Sequence, residues 1–185
     1  MTVDTGTAPG ITGALRRLYY IRFAFALIWA VLLIASGGSP GLLLTVWLFL
    51  YPLFDAGAVL YQLRADRTSS APRVPEWINV ALSVAAAIAL AIVSSSATAV
   101  LIAWGAWAIV SGLLQLVVAI ARRRAGGQVA LMISGAVSIL AGGAFAAMGA
   151  GGGSSLVAIG GYAIVGAVLF LISAVRLSIL KGRES

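Results

Sequence analysis

Apolar residues fill this chain in six long runs, at about 18–36, 41–63, 77–94, 97–121, 127–148 and 154–180. Each run approaches the roughly 20 residues that an α-helix needs to cross a hydrocarbon core of about 30 Å. The breaks between runs alternate in character. Ser36-Gly37-Gly38-Ser39-Pro40, Ser94-Ser95-Ser96 and Gly149-Ala150-Gly151-Gly152-Gly153 are short and uncharged, and read as hairpin tips. The stretches from Arg64 to Glu76 and around Arg122-Arg123-Arg124 are charged loops. Residues 1–14 are small, polar and rich in Gly, Thr and Pro, and read as a disordered tail. The pattern predicts an all-α, polytopic membrane protein. A six-helix transmembrane domain spans 15–180, and a short second tail spans 181–185.

Composition supports lipid as the solvent. Of the 185 residues, 62% are hydrophobic and 9% are charged, with a mean hydropathy of +1.09. A soluble domain carries about 25% charged residues, so a soluble chain this apolar could not cover its own core. Six spans leave no room for a soluble domain. Without Cys or His, thiol catalysis, thiolate or imidazole metal sites, His-ligated haem and a His-based proton switch are all excluded. No cofactor and no metal site is expected.

The charges set an orientation. Arg16, Arg17 and Arg22 precede or open the first span; Arg64, Arg67 and Arg73 follow the second. Arg122, Arg123 and Arg124 follow the fourth, and Arg176, Lys181 and Arg183 end the sixth. These are all twelve basic residues, and none lies in a hairpin tip. Short loops rich in Lys and Arg stay in the cytoplasm, so both termini are expected there. The same placement accounts for the net charge of +7. The cations read as topology anchors beside anionic lipid headgroups. No segment shows the basic, stacking face that nucleic-acid binding needs. A cleaved signal peptide ending near Ala35-Ser36-Gly37 is the alternative for the first run, but Arg22 interrupts that run and its length exceeds an h-region.

An internal period is present. Gly57, Gly112 and Gly166 lie 55 and 54 residues apart, near the middles of the second, fourth and sixth spans. Ten residues after each comes Arg67, Arg122 or Arg176; seventeen before each comes Pro40, Ser95 or Gly149. Ala26, Ala81 and Gly135 extend the register into the first helix of each hairpin. Three like hairpins, about 15–67, 73–124 and 125–180, are expected, all in one orientation. Such parallel repeats lower the expectation of an alternating-access transporter without removing it.

Asp55 is the one acidic residue inside an apolar run. Nine residues before Arg64, it lies roughly 13 Å inside the cytoplasmic end of its helix. A carboxylate at that depth costs on the order of 3 kcal/mol, so it must face the bundle and find a partner, or be protonated. Arg22, on the antiparallel neighbouring helix, is the candidate partner. The pair reads either as a packing device or as a proton- or ion-linked site. Val110 and Ile164 occupy the Asp55 position in the other two hairpins, so such a site would be single. Pro52, one turn before Asp55, frees a backbone carbonyl and predicts a helix kink.

Small residues recur every four positions at Ser134, Ser138, Gly142 and Ala146, and at Ala81, Ala85 and Ala89. Close helix approach within the chain is the first reading of both stripes, and a homo-oligomer seam the second. Trp77, Tyr19, Tyr20 and Tyr61 suit an interfacial belt. The deeper Trp29, Trp47, Trp104, Trp107, Tyr51 and Tyr162 read as packing. The glycines at 149–153 lack a Walker lysine and follow no strand, so they form no phosphate loop. Glu76 suits the start of the third helix, beside its dipole. No intramembrane carboxylate pair and no nucleophile–base arrangement can be built, so no enzymatic activity is expected.

Three hairpins of about 55 residues, each with a central glycine and a basic exit, resemble the HdeD-like family, small bacterial membrane proteins grouped under domain of unknown function 308. The segments 22–30 and Tyr51-Pro52-Leu53-Phe54-Asp55-Ala56 are similar to an actinobacterial branch of it. The resemblance covers about residues 15–180. It implies a non-enzymatic membrane protein, with a role in acid or envelope stress by analogy, and no catalytic residues to carry over. Two other readings stand beside it. One is a small transporter or proton/ion-conducting protein using Asp55 and Arg22. The other is an accessory subunit of a larger membrane complex.

Overall fold

The computed structural model describes residues 9–65, 73–121, 123 and 128–182. Among them are six α-helices and no strand: α1 Pro9–Ala35, α2 Leu42–Ala65, α3 Val74–Val93, α4 Ala97–Ala121, α5 Gln128–Ala150 and α6 Val157–Gly182. All six are long and apolar enough to cross a membrane. The helices match the apolar runs to within about three residues, except at the start of α1. Among the described residues that helix runs from Pro9, so residues 9–14 are helical where a tail was expected. Residues 1–8, Arg67, Arg122 and the terminal residues 183–185 lie outside the described residues.

The turns follow from local chemistry. Gly37 and Gly38 both take positive φ, +63° and +65°, which lets α1 reverse into α2 within a few residues. Pro75 sits in the first turn of α3 with Glu76, and Arg73 precedes it. Arg73 Nη1 donates to the Leu63 carbonyl at 3.0 Å and so satisfies one of the unpaired carbonyls at the end of α2.

The helices pack as a ring in chain order, with α6 returning to α1. The closest pairs are α4 with α5, α1 with α6, and α2 with α3; the partners within each hairpin approach less closely. Close and loose contacts thus alternate three times around the ring. Inside it the larger core is built on Trp29, Leu33, Leu48, Leu101, Trp104 and Ile159, and a smaller cluster on Tyr19, Ala174 and Leu177. The outer surface is apolar as well: Leu42 is 81% exposed, and Ile92 and Leu140 are each 75% exposed. Such an exterior suits lipid and not water.

Glycine explains the closest pair. On α4, Gly105 and Gly112 are seven residues apart; on α5, Gly135, Gly142 and Gly149 repeat the same spacing. A Cβ on Gly105 would lie 2.5 Å from the Gly142 carbonyl, and one on Gly142 would lie 2.6 Å from the Gly105 carbonyl. Gly112 and Gly135 are related in the same reciprocal way, at 2.7 and 2.8 Å. The two backbones therefore touch along their length, the close approach that small residues permit between membrane helices. Ser138 joins this face, as a Cβ on Gly112 would meet its Cβ at 2.8 Å.

The three period glycines do not share an environment. Gly112 is wedged against α5, whereas a Cβ on Gly57 or Gly166 would meet nothing within 4 Å. Gly57→Ala and Gly166→Ala should therefore leave stability unchanged or slightly raised, since alanine is the better helix former by roughly 1 kcal/mol. Gly112→Ala should lower it. Unfolding titrations of the three variants in mixed micelles check this order.

Two expectations fail at the level of helix faces. Ala81, Ala85 and Ala89 point outward and are exposed, so that stripe does not pack α3 within the chain. The buried face of α3 is instead Glu76, Asn79, Ser83, Ala87 and Leu90. The polar members need partners inside the ring, and this turns the helix over. Tyr19, expected at the interface, is buried, with its ring stacked 6.1 Å from that of Phe170. Tyr20, Tyr61 and Trp77 are exposed.

Candidate functional site

Asp55 is the centre of a polar cluster drawn from α1, α2, α3 and α4. Its Oδ1 accepts from Arg22 Nη2 at 2.7 Å. Its Oδ2 accepts from Asn79 Nδ2 at 2.8 Å and from Ser83 Oγ at 3.1 Å. Ser83 Oγ in turn accepts from Trp107 Nε1 at 3.0 Å. All three groups facing the carboxyl donate to it, the arrangement that suits an ionised, acceptor-only carboxylate. Hydrogen bonds to a charged acceptor are each worth about 1.5–3 kcal/mol, enough together to offset the cost of placing this residue in a span.

Arg22 is held on its other side by α6. Its Cζ lies 4.9 Å from the centroid of the Phe170 ring, a cation–π contact made away from solvent. Five helices therefore meet around one ion pair. Arg22 and Asn79 are buried and Ser83 is fully so, while the Asp55 side chain keeps 19% of its surface accessible.

That accessibility comes from a cavity of about 70 Å³ bounded by α1 to α5, room for a few waters. Asp55, Arg22 and Ser111 line one part of it, and Pro75, Glu76 and Gln128, which start α3 and α5, line another. It therefore extends from Asp55 toward the end of the bundle that carries Arg16, Arg64, Arg73 and Arg176. Gln115 forms part of its wall and donates to the Leu131 carbonyl at 3.1 Å, which ties α4 to α5 at this level.

On the opposite side of Asp55 the bundle is closed by aromatic rings. Trp104 packs against Trp29, Tyr51 and Trp107 with centroids 5.3, 5.2 and 5.2 Å away. Phe25 stacks on Phe54 at 3.7 Å beside them. Pro52 lies buried within α2, and Trp29 Nε1 donates to the Trp47 carbonyl at 2.8 Å. That carbonyl adjoins the one on Leu48, whose helical donor Pro52 removes. The proline thus sits where side chains from α1 reach the α2 backbone.

The structure brings Arg22, Asp55 and Pro52 into one region, and it leaves Gly57 and Gly166 out of it. Sequence reasoning did not single out Asn79, Ser83, Trp107 or Phe170 as members. A signal for two of them was present: Glu76, Asn79 and Ser83 follow at spacings of three and four, a single polar stripe on an otherwise apolar helix. Among the described residues no group of His, Cys, Asp or Glu could hold a metal ion.

A ring of six apolar helices around a buried ion pair defines a multi-pass membrane protein. Within it, residues 78–147 match the family model described as a short repeat of unknown function, DUF308. The matched stretch runs from α3 through α4 into α5, so it holds Asn79, Ser83, Trp107 and the glycine contact between α4 and α5. Arg22 and Asp55 lie before it. No curated protein and no solved structure matches the chain.

Proposed function

We propose that this chain is a non-enzymatic protein of the bacterial plasma membrane, of the HdeD-like type, with both termini cytoplasmic and a role in tolerance of acid or envelope stress. The observation that carries the non-enzymatic part is the engagement of both Asp55 oxygens in hydrogen bonds between helices. Its two oxygens are taken by Arg22, Asn79 and Ser83, so the strongest candidate for intramembrane acid–base chemistry is engaged in holding three helices together. The DUF308 match over residues 78–147 supports the family type. The basic residues at one end of the bundle support the orientation, and the threefold alternation of helix contacts supports three hairpin repeats. A strain lacking the chain should lose viability in acid or under envelope stress and regain it on complementation. Equal survival with and without the chain, across acid, detergent and osmotic challenge, would remove the stress role.

The cavity favours a second reading, in which Asp55 takes part in proton or ion movement. Aqueous access reaching an intramembrane carboxylate from one side is what such a pathway needs. The aromatic closure beyond Asp55 means that a further opening would be required for passage. Proteoliposomes loaded with a pH-sensitive dye distinguish the readings. Flux that disappears in Asp55→Asn favours conduction; flux that survives this substitution, or none at all in the unaltered chain, leaves Asp55 a packing device.

A further inference from the structure

On the lipid-facing side of the ring, away from the Asp55 cavity, lies an open groove between α1 and α6. It is lined by Arg16, Arg17, Tyr20, Ile21, Ala24 and Ser178. The five α1 residues share one face, since they follow at helical spacings. Their chemistry is graded along the axis: two guanidinium groups first, then the Tyr20 hydroxyl, then apolar side chains. From Arg16 to Ala24 this gradient covers roughly 12 Å at 1.5 Å per residue. Tyr20 Oη and Ser178 Oγ lie 3.4 Å apart, so both helices supply a hydroxyl at the same level. Ala24 and Ser178 are small, and this makes the surface concave between larger neighbours. Below them the α1 face continues as exposed Ile28, and Val175 is exposed on α6.

We propose that this groove binds one anionic phospholipid. Arg16 and Arg17 hold the headgroup phosphate, and the Tyr20 hydroxyl turns from Ser178 to donate to its oxygens, since Ser178 Oγ already donates to the Ala174 carbonyl at 2.9 Å; an acyl chain lies along Ile21, Ala24 and Ile28. Charge complementarity selects an anionic head. The apolar half of the groove, on the outside of a membrane-spanning ring, selects a lipid over a free anion. Arg64 and Arg176 are exposed at the same end of the bundle but do not line the groove. They carry the same charge without its shape, and so serve as the internal control.

The test is native mass spectrometry of the full chain in detergent, titrated with phosphatidylglycerol and, separately, with phosphatidylcholine. One phosphatidylglycerol should bind in preference to phosphatidylcholine. The double variant Arg16→Gln/Arg17→Gln should bind it about twenty-five-fold more weakly, the product of a factor of about five for each basic residue near an anionic lipid. The variant Ser178→Leu keeps every charge and fills the groove; it should weaken binding too, which separates the pocket from general attraction. Arg64→Gln/Arg176→Gln should bind nearly as the unaltered chain does. Equal losses in the two double variants would overturn the proposal in favour of diffuse surface charge. Displacement of the lipid by millimolar inorganic phosphate would overturn it in favour of a free-anion site. Thermal unfolding of each variant, run alongside, establishes that the compared chains are folded. Should Ser178→Leu fail that check, Ala24→Leu fills the groove from the other helix.

Discussion

Replacing Asp55 by alanine should destabilise the bundle by about 3–5 kcal/mol, the cost of removing one partner from a buried ion pair. The substitution removes the ion-pair partner of the Arg22 guanidinium buried over Phe170, and strips Asn79 and Ser83 of their acceptor. Water in the adjoining cavity will hydrate part of what is exposed, which places the result toward the lower end of the range. The double variant Arg22→Met/Asp55→Leu should recover more than half of the loss. Replacing a buried pair by apolar side chains of similar size is often neutral, whereas orphaning one charge is not. Unfolding in mixed micelles, followed by tryptophan fluorescence, suits the purpose, because Trp104 and Trp107 lie close to the pair. If Asp55→Ala costs less than about 1 kcal/mol, the cluster does not hold the helices together. If the double variant is as damaged as the single one, the charge itself is not what needs a partner.

Gly142→Leu should be the most damaging substitution outside the ion pair. A single Cβ at this position would already lie 2.6 Å from the Gly105 carbonyl and 2.9 Å from the Ile109 backbone nitrogen. Backbone cannot rotate away as a side chain can, so α4 and α5 must separate. Overpacking in a core costs about 1–3 kcal/mol. Here the alanine variant should reach the top of that range, and leucine should exceed it, giving a chain that no longer accumulates in folded form. The change Gly143→Leu, one residue along and open to the outside, should have little effect. Similar yields and melting temperatures for Gly142→Leu and Gly143→Leu would show that the two helices are not in backbone contact.

The fold class was legible because it rests on the strongest signal that a sequence carries. Six apolar runs, separated by tips of Ser, Gly and Pro or by arginine-rich loops, leave few alternatives. The start of α1 was less legible. Gly, Thr and Pro before residue 14 read as a tail, while residues 9–14 continue α1. Face assignments were harder still. In a soluble protein the apolar face turns inward, but in a membrane both faces are apolar and only polar residues reveal direction. The alanines at 81, 85 and 89 invited an inward reading, whereas Asn79 and Ser83, on the other face, set the rotation of α3. Arg22 and Asp55 were visible as a candidate pair because charge inside a span is costly and demands a partner. Their uncharged supports were not, because an asparagine or a serine in a span raises far less alarm. The crossing of α4 and α5 is partly readable in hindsight. Gly105 and Gly112 on one helix and Gly135, Gly142 and Gly149 on the other share a spacing of seven, and only three-dimensional pairing shows that they face one another.

Accessibility of two engineered cysteines bears most directly on the central claim, that a buried Asp55 centre is reached from one side of the membrane only. The chain contains no native cysteine, so each label reports a single position. Gln115→Cys lies in the cavity wall, and Ser95→Cys lies in the exposed turn at the opposite end of the bundle. With a small, charged thiol reagent, Ser95→Cys should react in intact cells. Gln115→Cys should react only in inside-out vesicles, and more slowly once the cavity is narrowed by Val118→Trp. Labelling of Gln115→Cys in intact cells, or of both positions from the same side, would contradict the account.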